Sequence, residues 1–425
     1  MTTIQYAPPL IAPPRPPLIT KPLLLRFVSI IGAAASFYLP LSTVPMYAKS
    51  AGSDAGAGLA TGALLLTTVA VELVTPWLVA RTGYRMALAI GLLGLGPPTL
   101  VLPLSASLPV IVAVSIVRGA GFAVVTVAGG ALTASLIPQE RRGEGLALTG
   151  VVCGVPALTC LPLGVWAAVH WGFTPVFAAT AGAALLALAV VPALPDRRPA
   201  PPSPAAGRGH GVLPMLRTPG QARPAALFAA STMAAGVLVT FLPLAIAARS
   251  AGVATIALFV QPAAATLSRL AAGRAGDRHG HARLLLPGVL LSAAGMASLA
   301  ATGSPALVIS GAAVFGAGFG LLQNATLALM YARAARTGYD AVSAIWNAAY
   351  DAGMGVGAIG MGLVIPLLGY SATFLLTGGL IIPALLPARQ ERRHHRPQIT
   401  QVTQVTREGE THSVCVSTRN EFRNS

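Results

Sequence analysis

The sequence predicts an all-α integral membrane protein whose twelve transmembrane helices form two six-helix, pseudo-symmetric bundles. Three observations predict it. Hydrophobic residues make up 54% of the chain and charged residues only 9%, with a mean hydropathy of +0.72, whereas a soluble domain carries about 25% charged residues. Most of this surface is therefore not built for water. Apolar stretches of the roughly 20 residues needed to cross a bilayer recur twelve times. The chain also repeats itself. GRAGDRHG (Gly273 to Gly280) aligns with PWLVARTG (Pro76 to Gly83), and GAGF at Gly119 to Phe122 returns at Gly316 to Phe319, both at an offset of 197 residues. KSAG (Lys49 to Gly52) answers RSAG (Arg249 to Gly252) at offset 200, and Pro40 answers Pro243 at 203, a drift that small loop insertions explain. This period far exceeds the roughly 20 to 50 residues of a solenoid, so it implies two copies of one large domain.

The elements follow in order. Residues 1–22 are a proline-rich tail (Pro8, Pro9, Pro13, Pro14, Pro16, Pro17) with no long apolar core. The first apolar stretch, 24–47, is too long for a signal-peptide core and lacks a small-residue cleavage site, which makes it helix 1. Helices 2 to 6 are expected at 57–79, 86–104, 109–135, 146–168 and 174–193, completing a first bundle over 23–193. Residues 194–223, rich in Pro, Arg and Gly, read as a linker. Helices 7 to 12, at 224–247, 253–273, 284–302, 306–331, 341–365 and 370–387, build the second bundle over 224–387. From 388 to 425 the chain is polar and is expected to be disordered.

The formal charge of +16 would suggest nucleic acid in a soluble protein. Its distribution argues otherwise. Arg81, Arg85, Arg141, Arg142, Arg197, Arg198, Arg208, Arg217, Arg223, Arg274, Arg278, Arg283, Arg333 and Arg336 fall in alternate loops, on the side of two basic tails, while Lys49 and Arg249 alone occupy the other side. This positive-inside bias predicts a multi-pass protein of the cell (inner) membrane with both termini cytoplasmic, and no nucleic-acid partner. Cys153 and Cys160 lie in an apolar segment and Cys415 in the tail, so no disulfide framework is indicated. All seven histidines (His170, His210, His279, His281, His394, His395, His412) fall in loops, tails or at a helix end. They form no metal-ligand or nucleophile-base constellation, so no enzyme activity, metal or cofactor is expected.

Two six-helix halves in parallel repeat, joined by a basic loop, resemble the major facilitator superfamily of secondary transporters over roughly Leu23 to Pro387. The most specific element is GRAGDRHG between helices 8 and 9, which is similar to that family's loop signature. Gly273 and Gly276 permit close backbone approach and Gly280 a tight turn. Asp277 can cap the following helix or pair with an arginine, and Arg278 adds charge. The resemblance implies a cytoplasmic latch between conformations. In the first copy Ala80 stands in the Asp position and Pro76 in the first Gly position, while Arg81, Gly83 and Arg85 remain. The alternative is that both loops only fix topology and packing. RGAGFA in helix 4 (Arg118 to Ala123) resembles another family signature, and GVVCGVPALTCLPLG in helix 5 (Gly150 to Gly164) a relaxed form of the family's antiporter signature. In helix 5, Gly150 and Gly154 allow close helix contact and Pro156 and Pro162 a bend. General membrane packing explains that segment equally well.

Ionisable residues inside membrane helices are costly and mark functional sites. Arg118 lies about nine residues from the predicted outer end of helix 4, or about 13 Å. It either handles protons and substrate or makes a structural salt bridge. Asp351 sits about ten residues into helix 11 and Glu72 within helix 2; each is a proton carrier or a static partner. Asn347, Asp351 and Gly355 share one helical face. At the 197 offset Glu72 corresponds to Arg269, which is four residues before Gly273 and equally suits the loop. Polar side chains expected at a central cavity are Gln323 and Asn324 of helix 10, Thr126 of helix 4 at the position equivalent to Gln323, and more weakly Tyr38 and Gln261; each has neighbouring backbone as its alternative partner. Asn347 joins them through its face.

The chain's two lysines, Lys21 and Lys49, sit in no G-x-x-x-x-G-K-[ST] phosphate loop, so ATP is not the expected energy source. The resemblance therefore implies proton-coupled efflux of small amphiphilic or apolar compounds by alternating access, with substrate, protons and lipid as partners of a monomer. Metabolite uptake by symport or facilitated diffusion is the alternative, and a non-transporting membrane sensor a distant one.

Overall fold

The computed structural model describes residues 17–52, 54–138, 141–195, 215–246, 251–334 and 339–394, and every regular element among them is a helix. Ten helices are long and apolar enough to cross a membrane. A shorter apolar helix over Gly56–Glu72 adds an eleventh pass, and the 52-residue stretch Ala341–Arg392 is long enough for two, so twelve passes result.

We name the passes in chain order. The first, α1, has two parts, Lys21–Tyr38 and Thr43–Ser50. The break between them contains Pro40, which offers no N–H to continue the ladder. The Thr20 hydroxyl caps its start, accepting from Leu23 N at 3.4 Å. Then come α2 (Asp54–Glu72), α3 (Thr75–Leu95, extended by a 3-10 turn over Pro97–Leu104), α4 (Leu108–Leu136), α5 (Arg142–Trp171) and α6 (Phe173–Val190). The second half holds α7 (Pro219–Ala245), α8 (Ala251–His279), α9 (Ala282–Leu299) and α10 (Pro305–Ala332). The stretch Tyr339–Ile381 is broken at Gly369 into α11 and α12, and α13 (Leu385–His394) follows.

The sequence repeat is a repeat of backbone geometry. Gly83, at a kink within α3, and Gly280, at the turn before α9, have φ of 78° and 88°, and Gly172 and Gly369, before α6 and α12, have 84° and 75°. Each pair is 197 residues apart, and glycine takes this left-handed conformation without a Cβ penalty. The GAGF copies also do the same work. A Cβ on Gly119 would strike the Leu64 carbonyl, and one on Gly316 the Gln261 carbonyl; Gly121 lies against Gly91 O and Leu95 N, and Gly318 against Gly288 O and Ser292 N. All three pairs of partners, Leu64 with Gln261, Gly91 with Gly288 and Leu95 with Ser292, keep the same offset. Close small-residue contacts are how helices gain packing where lipid removes the hydrophobic drive to associate.

The starts of α1 and α7, the end of α6 and α13 lie at one end of the bundle, which we call the terminal side; the other is the far side. The halves meet on the far side. Gly58 and Gly62 of α2 pack on Gly355, Ala358, Ile359 and Gly362 of α11. Ser42 Oγ donates to Val239 O at 2.7 Å, Thr240 Oγ1 to Thr61 Oγ1 at 3.1 Å, and Lys49 Nζ to the Tyr370 hydroxyl, lying 4.6 Å from that ring's centre.

Two expectations about the connecting segments need correcting. Residues 219–223, expected in the linker, open α7 behind Pro219, whose ring suits a helix's first turn. The tail expected to be disordered from 388 is helical to His394, because Glu391, with a side chain 2% exposed, pairs with Arg333 at the end of α10. Arg333 Nη1 also donates to Gly220 O at 2.8 Å, and Gln221 Nε2 to Met330 O at 3.0 Å, tying α7, α10 and α13 together. The expectations for residues 1–16, 196–214 and 395–425, and for Arg249, lie outside the described residues.

Candidate functional site

Between the halves lies a cavity of about 300 Å³, at the lower end of the range for small-molecule sites. Six helices line it: α1, α5, α7, α8, α10 and α11. Its polar lining is Thr266, whose hydroxyl returns to Pro262 O at 2.8 Å, and five further side chains, Tyr38, Gln261, Arg269, Gln323 and Tyr350; Cys153, Phe319 and Met354 stand among them. None of those five polar side chains hydrogen-bonds to another described residue, so all are available to a solute.

Three expected cavity residues, Tyr38, Gln261 and Gln323, are therefore in place, and three are not. Asn324 points away from the cavity: a Cβ on Gly273 of α8 would lie 3.7 Å from its amide nitrogen, and its carbonyl oxygen is buried without a partner. Thr126 returns its hydroxyl to its own helix, at 3.0 Å from both Phe122 O and Ala123 O. Asn347 is exposed although Asp351, one turn on, is buried, since α2 ends at Glu72 and leaves the start of α11 uncovered. Gly150 and Gly154 make no close helix contact. They line the cavity, and a Cβ on either meets nothing within 4 Å.

The two acids sit together behind the lining. Asp351 is 6% exposed at the contact of α11 with α2, and Glu72 is near enough for their charges to repel. The Glu72 carboxyl neighbours the Thr126 hydroxyl. Tyr38 and Tyr350 stand between the fields of Asp351 and Arg269. No ion pair joins either acid to an arginine among the described residues.

Arg118 does not join this group. It is 1% exposed, and its guanidinium donates to backbone: Nε to Leu95 O at 3.2 Å and Nη2 to Ser36 O at 3.4 Å. It staples α4 to α3 and α1, through carbonyls rather than the acid partner that a salt bridge would need. Sequence reasoning left one cation open and missed another. Arg269 belongs to the cavity, not to the loop beside Gly273; α8 continues to His279, about 15 Å beyond it at 1.5 Å per residue. Arg26 is buried on α1, its Nε donating to Thr133 Oγ1 at 3.1 Å and Nη1 to Ser29 Oγ at 3.1 Å. The flanking Thr133 and Gly129 of α4 gave no signal without the fold.

At the terminal side, Asp277 pairs with His281 at 3.5 Å rather than with an arginine, its side chain 79% exposed, and it does not cap α9. The close approach at Gly276 is to the His281 ring rather than to backbone, and Gly273 meets only the Asn324 amide, at 3.7 Å. In the first copy Arg81 lies over the Trp77 ring at 4.3 Å.

No curated protein sequence matches the chain. Solved structures share its architecture at low identity, which is a likeness of fold. An auto-inhibited POT family peptide transporter superposes with a TM-score of 0.73 at 12% identity, covering 89% of this chain and 98% of that one. A bacterial homolog of the human lysosomal transporter Spinster, inward-facing and unoccupied, gives 0.71 at 13%, covering 88% and 95%. The nucleoside transporter NupG gives 0.66 at 13%, covering 88% and 100%. The sequence signature of the Major Facilitator Superfamily matches residues 26–267 and again 225–424, and the chain belongs to that family of membrane transporters.

Proposed function

We propose that the chain is a proton-coupled exporter of small amphiphilic compounds, working by alternating access. The carrying observation is the cavity between the halves, sealed on the far side by the α2–α11 contact, with Asp351 deeper on α11 and Glu72 at the other end of α2, near enough for their charges to interact. Rocking the halves would part α2 from α11 and expose both carboxyls to the far side, so solute and proton would change sides in one movement. Arg118 holds the frame rather than tuning the acids. The loops around Gly83 and Gly280 act as latches that close when the terminal side closes. The solutes named for the neighbouring folds, peptides and nucleosides, support a small-molecule cargo. This reading places both termini in the cytoplasm and treats the monomer as the working unit.

The test uses everted vesicles with a respiratory proton gradient and a panel of amphiphiles. A carried compound discharges the gradient with the parent protein and not with Asp351→Asn. Discharge that survives both Asp351→Asn and Glu72→Gln removes the acids as carriers, and accumulation of the compound by intact cells along their gradient establishes uptake instead.

A further inference from the structure

The cavity's charge narrows its cargo. Among the side chains lining it, Arg269 is the one that is always charged; Glu72 and Asp351 lie behind the lining. The Arg269 guanidinium makes no hydrogen bond or ion pair with any described residue, so its partner is whatever fills the cavity. A neutral apolar body displacing water here would strand that charge without a hydrogen-bond acceptor, a cost that selects strongly against it. A cationic body would meet like charge first. An anion supplies the missing acceptors, since guanidinium presents a planar donor fork to a carboxylate. Tyr38, Tyr350 and Phe319 offer rings to an apolar body, and Gln261 and Gln323 offer donors beside the cation.

We infer that this cavity binds compact organic monoanions, with a carboxylate or sulfonate on Arg269 and an apolar body among the rings. The inference rests on the cavity's being the cargo site. A free volume of 300 Å³ is about 8 Å across, so the bound body is small, of the order of one or two fused rings.

Cys153 lines the same cavity and reports its charge without any gradient. The experiment takes the full chain with Cys160→Ser and Cys415→Ser, and compares two methanethiosulfonates of similar size, one carrying ethylsulfonate and one ethyltrimethylammonium. Each forms a mixed disulfide on Cys153 and releases methanesulfinate, and dividing their rate ratio by that for a free thiol cancels the thiolate fraction. A unit charge about 8 Å away through water changes each rate roughly two- to threefold in opposite senses, so Arg269 shifts the ratio about fivefold toward the anionic reagent. Arg26 on α1 also acts on Cys153, so Arg269→Gln should lower the preference by that factor rather than remove it, and Arg269→Lys should keep it. Naphthalene-2-carboxylate should slow labelling of the parent protein, and the matching carboxamide should not.

A cationic preference in the parent, an anionic preference that Arg269→Gln leaves undiminished, or equal protection by carboxylate and carboxamide overturns the inference. If Arg269→Gln does not fold, the parent's ratio and the protection pair still decide. Labelling needs no proton gradient, so an anion site without proton discharge in vesicles would sink the exporter reading alone, and discharge by neutral compounds with no charge preference would sink this one alone.

Discussion

Adding one methyl group at Gly58 should turn the protein toward its other conformation. A Cβ there would overlap the Ala358 carbonyl and lie 3.1 Å from Gly362 Cα on α11. The obstacle is backbone on both sides, so no side chain can rotate away. Inserting a methylene-sized group into such a contact costs about 1–3 kcal/mol. That cost falls only on the state with the far side closed, because parting α2 from α11 removes it. A differential of about 1–3 kcal/mol moves a two-state equilibrium roughly 5- to 150-fold. The assay is the labelling rate of Cys153 by N-ethylmaleimide, again with Cys160→Ser and Cys415→Ser, since Cys153 is reached from the terminal side. Gly58→Ala should slow labelling by a similar factor, up to the point where the closed-far-side state is no longer the major one. Gly182→Ala serves as the control, because a Cβ at Gly182 meets nothing within 4 Å. Unchanged labelling in Gly58→Ala, or an equal drop in the control, refutes the claim that the α2–α11 contact is what opens.

Other substitutions test the static assignments. Arg118→Gln should destabilise the folded protein by about 1.5–3 kcal/mol, the range for hydrogen bonds to a charged group, read as a lower melting temperature; a normal melting temperature with lost proton coupling would return Arg118 to the transport machinery. Glu391→Gln should free α13, so that trypsin cuts after Arg389 several-fold faster while the transmembrane core resists; equal cleavage would show that the pair with Arg333 does not hold this helix. Gly119→Ala and Gly316→Ala should lower the melting temperature by similar amounts, since each meets an equivalent carbonyl. A large loss at one and none at the other would mean that the duplicated contacts have diverged in energy.

The parts of the fold that were legible in the sequence are those that backbone geometry dictates. A left-handed turn requires glycine at Gly83 and Gly280, and a helix crossing against a carbonyl requires it at Gly119 and Gly316, so these positions carry the repeat openly; Gly172 and Gly369 obey the same rule but stand in no shared motif that would reveal it. Tyr38, Gln261 and Gln323 were found because polar groups in apolar helices need a reason to be there. The direction of a side chain around a helix is harder. Gln323 and Asn324 are adjacent in sequence, but a rotation of 100° separates cavity from helix contact, and a period of 3.6 with apolar residues on every face leaves nothing to fix the phase. Arg269 was obscured for the same kind of reason: a loop motif four residues away explains it equally well until the helix is seen to continue past it. The order of α13 was invisible because it depends on one long-range pair, Arg333 with Glu391.

The two halves agree at the GAGF crossings, where backbone meets backbone, and differ at Glu72 and Arg269. The 197 offset carries Gly121 onto Gly318 with the same two contacts, yet it carries Glu72 onto Arg269, an acid behind the lining onto a cation within it. A duplicated frame supplies two equivalent rigid bodies and one interface about which they can tilt. Equal chemistry on both bodies would offer a charged solute no preferred seat and a proton no separate path. The exchange of sign between Glu72 and Arg269 provides both, placing the anion's partner on α8 and the proton's on α2 and α11. On this argument the double exchange Glu72→Arg with Arg269→Glu should not restore function, although it preserves net charge. The acid would then line the cavity and the cation would face Asp351 at the α2–α11 contact, where a static ion pair would hold that contact shut. Recovery of transport in the double variant would show that the sum of the charges matters and their placement does not.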